Sequence, residues 1–179
     1  ILKDTLLNQD IDYTVHGELS VNLLDQEHFE SHKEILKRDI EVSGEIKASH
    51  LVTHFGQTIN NVHENKELYA SHLMKQQECY AKMGEYAKSN NVTLAIENLF
   101  PFTHNHYAPL PSEIAKQINE INHPNVKCCL DFSHAYINCT HRNAHFINEI
   151  KMMGPLSEHI HMHDSFGTIE RIWTYIDAE

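Results

Sequence analysis

Basic residues are scarce in this chain of 179 residues. Fourteen Lys and Arg stand against 25 Asp and Glu, a formal net charge of −11. Nucleic-acid binders draw much of their affinity from a basic face that neutralises phosphates, so this balance argues against a nucleic-acid partner. No apolar run approaches the roughly 18 residues that a membrane helix needs. The first twenty residues, ILKDTLLNQDIDYTVHGELS, carry charges throughout and lack a signal-peptide apolar region. None of the four cysteines, Cys79, Cys128, Cys129 and Cys139, forms a CxxC pair. Without an export signal, reduced thiols in a cytoplasmic protein are the expectation. A Gly-rich phosphate loop, a linker and a low-complexity tract are also missing, so one domain over 1–179 is expected.

What is present is ordinary for a globular chain: 41% apolar and 22% charged residues, enough for one core. Sixteen histidines stand out, and their placement has to decide whether they are surface, core, ligand or base. Short apolar runs alternate with longer polar stretches. The runs predict strands over 11–15, 49–54, 92–97, 126–131 and 158–163. The stretches between them predict helices over 26–48, 64–89, 112–121 and 143–152, with Ser112 as an N-cap. Strands and helices in alternation imply a parallel sheet, either doubly wound or a barrel.

Each predicted strand ends in a residue able to bind metal or move a proton: His16, His54, Glu97, Asp131 and His161. In a parallel α/β fold the carboxyl ends of the strands share one face, where loops leave and ligands bind. Any one of these residues alone is more simply a satisfied polar group, and Asp131 could merely cap the turn that begins DFSH. Five at equivalent ends favour a shared site, and a carboxylate and imidazole set favours a metal. His159, His161 and His163 alternate and so share a strand face. His134 follows Asp131 by three residues, close enough for a local hydrogen bond or a second contact to the site.

The segments VHGELSVNLLD (15–25), HLVTHFG (50–56), LAIENLF (94–100), VKCCLDFSHAY (126–136) and HIHMHDSFG (159–167) resemble successive motifs of the xylose isomerase-like TIM-barrel superfamily. That superfamily includes sugar and sugar-phosphate isomerases and epimerases, and endonuclease IV-type DNA repair enzymes. The resemblance implies an α/β fold, a (β/α)8 TIM barrel. A full barrel takes about 250 residues. So five to six β/α units of a longer chain are expected here, incomplete at both ends.

The resemblance further implies that Glu97, Asp131 and His161 are ligands of one divalent ion (Mn2+, Mg2+, Co2+ or Zn2+). It makes His16, His54 and His134 substrate contacts, and Glu97 and His134 the catalytic pair. The family's fourth ligand, a late Glu, has no counterpart after His161. The nuclease branch's Asp-x-His is also missing from RIWTYIDAE, which favours the sugar branch. The expected activity is a metal-dependent sugar or sugar-phosphate isomerase or epimerase working through a metal-stabilised enediolate, with homo-oligomer formation left open. The alternatives are a zinc phosphodiesterase of the endonuclease IV type, a keto-inositol dehydratase-like lyase, and a non-catalytic sugar binder. The loop FPFTHNHYAPLP (100–111) could cover the mouth of the site. Phe100, Phe102 and Tyr107 could stack on a sugar there, although loop packing is the simpler reading of those rings.

Overall fold

The computed structural model describes residues 2–8 and 10–168. Strands β1 (Thr14–His16), β2 (His50–His54), β4 (Thr93–Glu97), β6 (Val126–Asp131) and β7 (Ser157–His161) form one sheet. All its pairs are parallel, and its order is β1-β2-β4-β6-β7. Two short antiparallel strands, β3 (Thr58–Ile59) and β5 (His106–Tyr107), pair outside it. The helices are α1 (Leu2–Leu7), α2 (Phe29–Glu45), α3 (Lys66–Ser89), α4 (Pro111–Ile121), α5 (Phe132–Arg142) and α6 (Phe146–Met153). The spatial order of the main sheet follows the chain and never reverses. A doubly wound sheet reverses at a switch point, so of the two parallel architectures this is the barrel type, present here as an open arc.

Packing agrees, because the two faces of the sheet bury different things. Leu51, Leu94, Ile96, Val126, Cys128 and Leu130 join one large core with Leu36 and Ile40 of α2, Tyr80 of α3, Ile114 of α4 and Met153 of α6. Val52, Ala95 and Cys129 form a separate small cluster. Side chains alternate along a strand, so these three line the inner wall while their neighbours face the helices. The same period of two carries the inner wall up to His54, Glu97 and Asp131, each two residues beyond Val52, Ala95 and Cys129. Gly84 lets α3 close on this assembly. A Cβ there would lie 2.6 Å from His123 Nδ1 and 2.7 Å from Val126 Cγ2.

Several boundaries differ from the sequence expectations. The first strand is Thr14–His16 rather than 11–15, and the last stops at His161 rather than running to 163. Ser112 is not an N-cap. Pro111 takes the first helical position, where its missing N–H costs nothing, and Glu113 accepts the Leu110 backbone N–H at 2.7 Å. The expected helix over 143–152 is α6, while α1 is an addition to the expected set, and so is α5. Asp131 does cap it, accepting the His134 N–H at 2.7 Å. Among the described residues no helix is long and apolar enough to cross a membrane. All four cysteines are free and buried.

Candidate metal centre

The parallel sheet brings all six residues singled out in the sequence to one place. Glu97, 1% exposed, is the hub. Its Oε1 lies 2.7 Å from His161 Nδ1 and 3.5 Å from His134 Nδ1, and its Oε2 lies 3.1 Å from His16 Nε2 and 3.5 Å from His54 Nε2. Asp131, on the adjacent strand and equally buried, has its Oδ2 3.7 Å from both His134 Nδ1 and His161 Nδ1. Two buried carboxylates are thus compensated by imidazoles, and none of the described contacts to either comes from Lys or Arg.

His163 completes the ring as a ligand candidate that the sequence offers only as one of three alternating histidines that would be ligands or substrate contacts if their face points inward. The sequence pattern puts it on the strand, but the strand ends at His161, and from the irregular segment beyond it His163 Nε2 reaches Asp131 Oδ2 at 3.1 Å. Asn98 also escapes a reading by residue type, although it stands next to Glu97. Its carboxamide bonds both the N–H and the carbonyl of Asp131, each at 2.9 Å. Among the described residues, three sets each have donor atoms within 4.8 Å of one another: His16–His54–Glu97, Glu97–Cys129–His161 and Asp131–His134–His163.

Hydrogen bonds fix the proton positions on two rings. His54 Nδ1 donates to the Leu19 carbonyl at 3.1 Å, and burial holds its pKa below the ordinary value, so the ring is neutral. Its Nε2 then turns a lone pair toward Glu97 Oε2, acceptor against acceptor. A divalent cation held at this carboxylate would satisfy both groups. His134 is set the same way, with Nδ1 donating to the Asn98 carbonyl at 3.1 Å and burial lowering its pKa. Burial pulls Glu97 upward, but the hydrogen bonds from His16 and His161 hold it at about 2. The bond to Glu97 outweighs burial at His16 and raises that ring. Burial, reinforced by Glu97 and Asp131, pushes the Cys129 thiol up, and the other donors around it are carboxylate oxygens and imidazole nitrogens. This donor set fits a divalent transition metal or magnesium.

The loop after Glu97 resolves into separate jobs. Tyr107 is occupied by packing: His63 stacks on it at 4.1 Å, Arg142 lies over it at 4.6 Å, and its hydroxyl donates to Glu113 at 2.9 Å. Phe100 is buried against the His134 ring at 4.8 Å, and Phe102 stays partly exposed. Buried Asn138 on α5 ties the loop down, its Nδ2 donating to the carbonyls of Leu99, Ala108 and Pro109 at 3.3, 3.2 and 2.9 Å. Asn138→Ala leaves these carbonyls without that donor and is expected to cost about 1–3 kcal/mol. Thermal denaturation, with limited proteolysis of the 100–110 segment, checks this. Unchanged stability and unchanged cleavage would deny the loop its anchor.

Residues 2–172 match the family described as Xylose isomerase-like TIM barrel. Among solved structures, a D-tagatose 3-epimerase-like protein is similar at TM-score 0.73 and 18% identity, over 93% of this chain and 61% of that one. A D-psicose 3-epimerase, solved in the presence of D-fructose, is similar at TM-score 0.63 and 18% identity, over 89% and 57%. A protein from Thermus thermophilus, soaked with ZnCl2, is similar at TM-score 0.71 and 20% identity, over 95% and 65%. This chain therefore spans about three fifths of the length of these neighbours. No curated protein sequence matches it. The parallel arc of β/α units and a family match over nearly the whole chain agree, and the chain belongs to the xylose isomerase-like TIM barrel family.

Proposed function

We propose that this chain carries the metal-binding part of an isomerase or epimerase acting on a sugar or sugar phosphate. The observation that carries the reading is the opposition of His54 Nε2 and Glu97 Oε2 across 3.5 Å, deep in a ring of imidazoles and two buried carboxylates. Glu97, Asp131 and His161 would hold the ion. When bound, a divalent cation supplies Lewis-acid polarisation of a substrate carbonyl.

The protein's own groups divide the remaining work by proton affinity. Glu97, held at about 2, is an anion under all working conditions and a weak base at neutral pH. His134 is neutral with its Nδ1 proton committed to the Asn98 carbonyl, which leaves Nε2 as the ring's lone pair. His134 is thus the better acceptor for a substrate proton, and Glu97 anchors the ion and the charge. His16 is half-exposed at the rim of the site with both ring nitrogens engaged, Nε2 on Glu97 at 3.1 Å and Nδ1 on the Gly17 carbonyl at 3.0 Å, so it holds the carboxylate in place beside the substrate.

One observation favours a second reading. His16 and His54 both face the same oxygen of Glu97, so this carboxylate could serve two ions, as a phosphodiester-cleaving zinc centre requires. Elemental analysis of protein purified without added metal separates the two. One manganese, cobalt, magnesium or zinc ion per chain, with deuterium exchange at the carbon beside a ketose carbonyl, supports the isomerase. Two or more zinc ions, with cleavage of a phosphodiester, transfers the assignment to the hydrolase. A chain that takes up no metal overturns both.

A further inference from the structure

The structure assigns Asn98 a positioning role at the centre: it sets the depth of Asp131 and the tautomer of His134. The inference rests on the metal-centre reading above and concerns a residue outside the ligand set.

Backbone pairing between β4 and β6 ends at Glu97 opposite Cys129, yet β6 runs two residues further to Asp131. There the strand would leave buried backbone groups without a ladder partner, a costly state. Asn98 supplies the missing rung from its side chain. Its Oδ1 accepts the Asp131 N–H and its Nδ2 donates to the Asp131 carbonyl, both at 2.9 Å, and Asn98 is fully buried. A carboxamide on one methylene offers a donor and an acceptor on two separate atoms at this reach, as a backbone rung does. Asp would turn an oxygen toward the Asp131 carbonyl, and Leu would offer nothing.

The same residue's backbone carbonyl takes the Nδ1 proton of His134 at 3.1 Å. The His134 N–H in turn bonds Asp131 Oδ1 at 2.7 Å. Asn98, Asp131 and His134 therefore form a closed triangle of hydrogen bonds. A shift at Asn98 moves a carboxylate and an imidazole of the Asp131–His134–His163 group together. Groups that orient ligands from behind typically change metal affinity 10–100-fold when removed.

The test uses Asn98→Leu and Asn98→Asp in the whole protein. Zn2+ and Mn2+ are each titrated against a competing chelator, with Leu94→Ala as a comparison that lowers stability in the outer core. The expected result is a metal Kd weakened about 10–100-fold in both Asn98 variants and unchanged in Leu94→Ala. Asn98 variants that bind as tightly as the parent overturn the positioning role while leaving the metal centre standing.

A parent protein that binds neither ion overturns the metal-centre reading instead, and the triangle is then judged in the metal-free protein. Ring nitrogen NMR should show His134 as the Nδ1–H tautomer in the parent and a mixture of tautomers in Asn98→Leu. An unchanged tautomer overturns the role on that ground. If Asn98→Leu fails to fold, Asn98→Asp, which keeps the shape and the acceptor, carries both readouts.

Discussion

Glu97→Gln is expected to reduce turnover about 10³-fold or more while the fold survives. The substitution keeps size and shape and removes the charge. Four imidazoles lie within 3.5 Å of this carboxylate, and it is the shared member of two of the three donor groups. A neutral amide cannot compensate a cation there, and its NH2 would meet the Nδ1–H of His161. Metal content should fall with turnover, and far-UV circular dichroism should match the parent. Exchange of the proton beside a ketose carbonyl, followed in D2O, gives the rate. A variant that keeps more than about a tenth of the parent rate would remove Glu97 from the chemistry.

Leu94→Ala is expected to cost about 2–5 kcal/mol, and at a midpoint value the transition should move down by roughly 7–14 °C. Leu94 is fully buried on β4, the central strand, with β2 and β6 on either side. Its side chain enters the large core against the helices, where close packing leaves little freedom to collapse into the space vacated. Ile160→Ala is the matched comparison. That side chain is 54% exposed on edge strand β7, and its loss should cost less than about 0.5 kcal/mol. Thermal unfolding of the two variants side by side checks the layer assignment. Equal losses would mean that the outer core is not the packed layer argued from the strand alternation.

The site is far more legible in the sequence than its surroundings. A parallel strand is a short apolar run, and its last residue can be read directly. His54, Glu97, Asp131 and His161 therefore fall at strand ends as expected, and topology gathers them. Helix α5 is hidden because FSHAYINCTHR mixes polar and apolar residues without a clean stripe. It is Asp131 as N-cap and packing on the sheet that hold it. The role of His163 depends on the path of the chain after His161, and alternation within a strand carries no information about that path. Asn98 is invisible for a related reason. Its work is to replace a backbone pair, and a backbone pair leaves no mark in side-chain periodicity. The expected fourth ligand, a late Glu, is found on none of the described residues beyond His161, and RIWTYIDAE lies outside the described residues.

Cys128 and Cys129 are consecutive, yet they belong to different rooms: the first is packed among the helices, the second against Val52 and Ala95 on the inner wall. Opposite orientation on one strand keeps them from bonding to each other, and burial drives the Cys128 thiol up to about 12, so both are silent toward reagents in the closed protein. Neighbours in sequence, they become two clocks for two different openings. A thiol reagent that marks Cys128 first times the parting of helices from sheet, and one that marks Cys129 first times the baring of the wall beneath the imidazoles.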